Sequence, residues 1–271
     1  MLPVSALSRR INGERLVLIG WTRAILLQLA HPLVAAGVAD HSSFRRSPRS
    51  AWSRLQHTVH AMLAITFGTE VEQEAALDAI RAIHRRVRGS LGPACGRFAS
   101  GTPYSAEDPD LLLWVHATLI ESIVLVYDQL VTPLTQCERD AYCADSAAVA
   151  IALGARPEEV PRCWDALQTY LRRQYASGSI AVGDQARNVA SALLAPIPGP
   201  AGVPIAAVST ILASGLLPDV VRRGYRFPWS ARRDRVFQRT MSLLRTLRRV
   251  APAALTSWPQ ARPETDPPTS R

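Results

Sequence analysis

One long apolar segment, PDLLLWVHATLIESIVLVYDQLV from Pro109 to Val131, constrains the fold of this 271-residue chain more than any other feature. It follows Asp108, a residue type that favours helix N-caps, and it ends before Pro133, which cannot continue a helix. Apolar residues on nearly every side of a helix are typical of a helix buried inside a fold. The sequence therefore predicts a buried helix here, and His116 lies in its middle.

Other segments with apolar residues at helical spacing precede and follow this one. The helix that begins near Arg15 is expected to end at His31, because a residue that precedes proline is pushed out of the α-helical region. A short apolar stretch and a polar turn are expected after Pro32. The remaining predicted helices cover residues 50–67, 70–88, 135 onward, 157–175, 185–195, 204–216 and 232–250.

Strand patterns and internal repeats are not apparent in the sequence, and aromatic residues make up only 6% of it. The stretch 90–110 is rich in Gly, Pro and Ser and is predicted to be a loop. The predicted fold class is therefore all-α. We expect a single globular helical domain over residues 1–255 and a disordered tail over residues 256–271.

All 31 basic residues are arginine, and the formal net charge is +9. A chain without lysine cannot use a P-loop lysine, a Schiff-base lysine or a Ser–Lys dyad. Many of the arginines lie in residues 81–97 and 222–249, but no zinc-finger, RNP or homeodomain pattern accompanies them, so nucleic-acid binding is not expected. The basic last helix, Arg232 to Val250, is expected to be solvated or to face an acidic lipid or partner, which makes peripheral membrane contact a hypothesis.

The four cysteines show no metal-binding CxxC spacing, and the N-terminus has no clear cleavage signal. Reduced thiols and a cytoplasmic location are the expectation. The apolar run AGVPIAAVSTILASGLLP, interrupted by Pro204, predicts a core helix, with a membrane-associated helix as the alternative.

All six histidines fall within the first 116 residues, which suggests a site built by the N-terminal helices. A buried imidazole such as that of His116 needs a partner for each ring nitrogen. Two hypotheses follow from the spacing: a core histidine bonded to a backbone carbonyl, or a metal or haem ligand set in an apolar wall. His31, His41 and His84 are expected at turns, helix ends or the surface.

A second polar feature is the stretch RLQHT, where Arg54, His57 and Thr58 share one side of a predicted helix, with His60 at its edge. This side could pack against loops, with Arg54 paired to an acid such as Asp40. It could equally form a polar patch over a cofactor. The spacing alone leaves both interpretations open.

Six motifs in order give the chain a resemblance to a known family. They are AILLQLAHPLVAAGVADHSSF, WSRLQHT, ITFGT, IHRRVRG, GTPYSAEDPDLLLWVHATLIES and LLPDVVRRGYRFPWS. From about Arg15 to about Arg249 the chain resembles the MpaB-type oxygenases, which share their catalytic domain with the latex-clearing rubber oxygenase. The resemblance implies an all-helical fold that encloses a haem b pocket and uses dioxygen.

The same resemblance assigns roles to individual residues. His116 matches the proximal haem ligand of the rubber oxygenase, and Arg54, His57 and Thr58 match its distal Arg-x-x-Lys-Thr stretch. His57 replaces the family lysine, so it could be a sixth iron ligand or a distal hydrogen-bond donor. No glutamate occupies the position of the family base, because Glu14 lies far back in the chain and Asp40 is the nearest acid.

Three functional hypotheses result. The first is a haem b-dependent oxygenase that acts on a hydrophobic small molecule with dioxygen or peroxide, in which Arg54 and Thr58 stabilise negative charge on the oxidant or bind a haem propionate. The second is a six-coordinate haem-binding or electron-transfer protein without substrate chemistry. The third is a helical interaction protein that binds no haem.

Overall fold

The computed structural model describes residues 2, 4–41, 48–195, 199–200 and 202–261, with the backbone alone for residues 48–55. Within this part of the chain, thirteen α-helices accompany two short strands. In chain order they are α1 (Ala6–Asn12), α2 (Val17–Leu29), α3 (Pro32–His41), α4 (Pro48–Phe67), α5 (Glu70–His84), β1 (Arg88–Ser90), β2 (Pro103–Ser105), α6 (Pro109–Leu130), α7 (Gln136–Ala152), α8 (Trp164–Ala176), α9 (Asp184–Leu193), α10 (Gly202–Leu216), α11 (Asp219–Gly224), α12 (Ala231–Val250) and α13 (Ala253–Thr256). The all-α prediction is confirmed.

Helix α6 is the central element, as its composition predicts, and α2 packs closely along it. The approach is closest at Gly20, where an added Cβ atom would lie 2.6 Å from the backbone oxygen of Ser122. Because glycine has no side chain, the two backbones can meet at this point. By length and composition α6 could also cross a membrane, but most of it is buried within the fold, as in the core helix of any globular domain.

A buried ion pair fixes the register of α2 against α6. Arg23 pairs with Glu121, and its guanidinium also donates to the hydroxyl oxygen of Ser122 at 2.6 Å. The Nε–H group of Arg23 donates to the backbone oxygen of Leu216 at 2.7 Å, which ties the end of α10 to the same point. A charge that is both paired and hydrogen-bonded can be tolerated inside a protein, whereas either partner alone would be costly.

The chain bends by 104° between α2 and α3. As predicted, the first helix ends before His31. The segment after Pro32 is a ten-residue helix instead of the expected short stretch and turn. Proline fits the first turn of a helix because the amide hydrogen that it lacks has no helical partner there, so Pro32 both ends α2 and begins α3.

Two further expectations need correction between residues 85 and 105. The helix predicted over 70–88 ends at His84, and strands β1 and β2 pair antiparallel within the predicted loop region. Gly89 lies under the ring of Tyr104, whose hydroxyl group donates to Asp40 at 2.6 Å. This contact between distant segments stabilises a hairpin too short to show strand alternation in the sequence.

Residues 256–261, at the start of the predicted tail, contact the N-terminal part of the chain. The amide of Trp258 donates to the backbone oxygen of Gly13 at 2.9 Å, and the Arg15 guanidinium lies 4.9 Å from the Trp258 ring centroid. A 3₁₀ turn follows over Pro259–Ala261. Residues 262–271 lie outside the described part of the chain.

The close approach of α2 and α6 gives a test of this packing. Gly20→Ala should lower the free energy of unfolding by about 1–3 kcal/mol, because the added methyl group overpacks the contact with Ser122. Urea unfolding measures the change. Gly92→Ala is the matched control, since nothing lies within 4 Å of its added Cβ atom and the expected change is within about 0.5 kcal/mol. Equal stability of the two variants would contradict the packing described.

Candidate functional site

His116 lies in the third turn of α6, among the apolar residues of the core. Asp108 caps this helix by accepting a hydrogen bond from the Asp110 amide at 2.9 Å, as predicted. Leu112 and Ile120, one turn before and one turn after the histidine, are buried. Val115, His116 and Leu119 are half-buried on the adjoining side of the helix, so the imidazole borders space that solvent can reach.

The electrostatic environment keeps this imidazole neutral. Burial alone lowers the pKa of His116 to about 4, and no charged side chain contributes to the shift. At neutral pH the ring therefore carries one proton and one free lone pair. A neutral imidazole nitrogen is the form that binds a metal ion.

No hydrogen bond joins a ring nitrogen of His116 to another described residue, and the ring is half-buried. The nearby backbone oxygen of Val115 accepts from Gln28 at 3.3 Å and from Thr118 at 3.0 Å, and Thr118 also donates to the oxygen of Trp114 at 2.9 Å. The hypothesis of a core histidine bonded to a backbone carbonyl therefore finds no support. The lone pair of this half-buried ring receives no hydrogen bond from another described residue.

The RLQHT stretch lies in α4, whose range was predicted to within two residues. His57 and Thr58 are exposed, as is His60, and the side chain of Arg54 lies outside the described residues. No hydrogen bond joins His57 to His116. The distal role of Arg54, His57 and Thr58 therefore stays a prediction.

The opposite side of α4 faces the core. Val59, Met62 and Thr66 line a small cavity there together with Trp21 and Trp258. Its volume of about 10 Å³ holds no more than a single water molecule. A cofactor would need a different space.

A larger cavity, of about 230 Å³, opens beside Tyr175. Tyr175 packs edge-on against Trp114, with ring centroids 6.0 Å apart. The other lining residues are apolar or glycine and include Ile180, Val182 and Val221, so the phenol is the one polar side-chain group that borders this space. Burial raises the pKa of Tyr175, which keeps the phenol protonated and able to donate a hydrogen bond. Sequence periodicity gave no sign of this cavity, since separate segments line it.

Both acids considered as replacements for the family glutamate have structural partners. Glu14 is buried and binds Arg248 of α12, whose Nε atom lies 2.9 Å from a carboxylate oxygen. Asp40 accepts the hydroxyl hydrogen of Tyr104. Neither contact involves α4, and both contacts stabilise the fold.

The remaining histidines occupy the predicted types of position, but one of them is far more buried than expected. His31 lies at the α2–α3 bend, and its ring centroid is 5.0 Å from that of Phe98. Its buried Nδ1 atom has no hydrogen-bond partner among the described residues. Burial, with a smaller contribution from Arg97, lowers its pKa to about 4. His41 contacts the backbone oxygen of Arg88 at 3.0 Å, and His84 ends α5 with a pKa that burial lowers.

The structure is an all-helical domain with a neutral histidine, His116, in its central helix. The family model for the catalytic domain of the ER-bound oxygenase mpaB/B′ and rubber oxygenase matches residues 9–246. The chain belongs to this family of oxygenase catalytic domains.

Two mycobacterial proteins are similar along most of the chain. An uncharacterised protein of Mycobacterium tuberculosis and one of Mycobacterium bovis are each 27% identical over 234 residues, which cover 84% of this chain and 87% of each relative. No solved structure matches.

The burial of His31 predicts a pH dependence of stability. Because its pKa is about 4 in the fold and about 6.5 in an unfolded chain, the unfolded state binds more protons between these values. Stability should therefore fall as the pH drops from 6.5 towards 4, by about 2–3 kcal/mol for this residue. Urea unfolding at pH 7 and pH 4.5 measures this loss of stability. The difference between the two pH values should be smaller by this amount in His31→Gln and unchanged in the exposed control His60→Gln. If the pH dependence of stability were the same in His31→Gln as in the wild type, the lowered pKa of His31 would be contradicted.

Proposed function

We propose that this chain is a haem b-dependent oxygenase that oxidises a hydrophobic small molecule with dioxygen or peroxide, and that His116 is the proximal iron ligand. The observation that carries the proposal is the neutral imidazole of His116, which is half-buried beside Val115 and Leu119 and forms no hydrogen bond with another described residue. Membership in an oxygenase family supports the reaction class.

The donor set fits a haem. No group of three or more His, Cys, Asp or Glu side chains that could hold a bare metal ion occurs in the described part of the chain. A haem needs only one or two protein ligands, since its porphyrin supplies the other four. His116 offers one nitrogen, and Val115 and Leu119 lie half-buried beside it as an apolar wall for a flat ring. When bound, the haem would supply the iron that activates the oxidant.

The protein's own residues would hold the haem, orient it and protect the reactive centre from water. His116 would fix the position of the iron and set its electron density. Arg54 and Thr58 would bind negative charge on the oxidant or on a haem propionate, and His57 would either donate a hydrogen bond or act as a sixth ligand. The apolar residues around His116 would exclude water from the reactive centre.

The proposed substrate class rests on the chemistry of the lining. The 230 Å³ cavity is bordered by aliphatic side chains with the Tyr175 phenol as its one polar side-chain group. Such a space favours a small apolar or weakly amphipathic molecule with one group that accepts a hydrogen bond. Oxygen consumption by haem-loaded protein, screened over hydrophobic compounds, tests this class.

The ligand assignment has a direct test. His116→Gly should abolish haem retention, seen as loss of the Soret band after purification with added haem, and free imidazole in the buffer should restore it. His60→Ala and His84→Ala are matched controls that should retain the wild-type haem content. Normal haem content in His116→Gly without imidazole would refute the assignment.

The role of His57 distinguishes the two haem-binding hypotheses, an oxygenase with an open iron site and a six-coordinate haem carrier. His57→Ala should shift the absorption spectrum and leave the haem bound, while His60→Ala, one turn along α4, should not. Carbon monoxide that binds the reduced wild-type protein readily supports an open oxygenase site. Slow or absent binding that becomes fast in His57→Ala would favour the carrier. An unchanged His57→Ala spectrum would remove His57 from the haem pocket.

A further inference from the structure

Helix α12 carries an exposed apolar stripe that its own packing does not require. Val236, Leu243, Leu247 and Val250 are spaced by seven, four and three residues, which places them along one side of the helix. Each side chain is between 40% and 74% exposed. Large aliphatic side chains that share one helix side are uncommon on a surface that meets only water.

The core contact of α12 uses a different side of the helix. Phe237, Met241 and Leu244 pack with the second half of α10 in a common apolar cluster. An added Cβ atom on Gly215 would lie 2.4 Å from the Phe237 ring, so these two helices are in tight contact. The exposed stripe is therefore a second apolar side, about one third of a turn away from the first.

Arginines border this stripe on the side away from the core. Arg232, Arg235, Arg239 and Arg249 have no carboxylate partner among the described residues. The other arginines near the end of α12 have assigned contacts, because Arg248 binds Glu14 and Arg245 donates to the backbone oxygen of Gln129. Asp234 is the one acidic residue of the helix.

The first two turns of α10 add a second exposed apolar element. Val203, Ile205 and Val208 are between 45% and 67% exposed, and this helix contains no charged residue. Phe237 near the start of α12 lies against Gly215 near the end of α10. The exposed residues of α10 therefore lie on a helix that packs directly against α12.

We propose that these residues of α10 and α12, the basic–apolar surface, bind the surface of an anionic lipid bilayer. Exposed aliphatic side chains beside an arginine row match the two parts of such a membrane, the acyl boundary and the anionic headgroups. A nucleic acid would use the arginines and leave the aliphatic side chains in water. The chain's net charge of +9 adds a general attraction to the same surface. The proposal does not depend on haem binding.

Vesicle co-sedimentation of the full chain tests it. The protein should bind vesicles of phosphatidylcholine mixed with phosphatidylglycerol, bind pure phosphatidylcholine at least about tenfold more weakly, and dissociate as salt is raised. Arg235→Gln with Arg239→Gln should weaken binding to the mixed vesicles at least about tenfold. The charge-matched control, Arg172→Gln with Arg173→Gln on exposed α8 positions, should bind nearly as well as wild type.

A second set of variants tests the aliphatic side chains of the basic–apolar surface. Leu243→Ser with Leu247→Ser should weaken vesicle binding at least about tenfold, while Val71→Ser with Ile83→Ser, at exposed positions of α5, should not. Equal binding by the surface variants and their controls would overturn the proposal. So would sedimentation velocity that shows a lipid-free dimer lost in the Leu243/Leu247 variant, because the surface would then join two copies of the chain. Tighter binding to duplex DNA than to anionic vesicles, lost in the Arg235/Arg239 variant, would also overturn it.

Discussion

The close packing of α2 against α6 is the contact on which the rest of this structure depends. Gly20 lets the two backbones meet, and the buried pair of Arg23 and Glu121 holds their register and reaches the end of α10. Because α6 is enclosed in this way, His116 lies half-buried among apolar residues, and burial lowers its pKa. The neutral imidazole that we propose as an iron ligand is therefore a consequence of helix packing.

The proposed haem site depends on the burial of a helix, α6, whereas the proposed membrane surface depends on the exposure of a helix, α12. In α6, burial lowers the pKa of His116 and so keeps its imidazole neutral. In α12, exposure leaves a stripe of aliphatic side chains beside four arginines that have no carboxylate partner among the described residues. An enzyme for hydrophobic molecules gains from both, since such substrates dissolve in membranes and react best in an apolar cavity.

Local sequence signals predicted the elements that local interactions determine. The bounds of α6 follow from Asp108 before it and Pro133 after it, and the capping box of Thr135 and Glu138 begins α7. The β1–β2 hairpin could not be predicted, because it depends on the Tyr104 contact with Asp40, 64 residues away in sequence. The same limit applies to the site. The position of His116 in a buried helix was predictable from its apolar neighbours, whereas the burial of His31 and the cavity at Tyr175 arise from segments distant in sequence.

The ion pair of Glu14 with Arg248 joins the first and last parts of the described chain. Glu14 is buried, so without its arginine the carboxylate would be an uncompensated charge inside the protein. During synthesis the partner is made 234 residues later. The N-terminal segment therefore cannot reach its final packing until the C-terminal helix has left the ribosome, and a nascent chain arrested before residue 248 would expose this region to proteases.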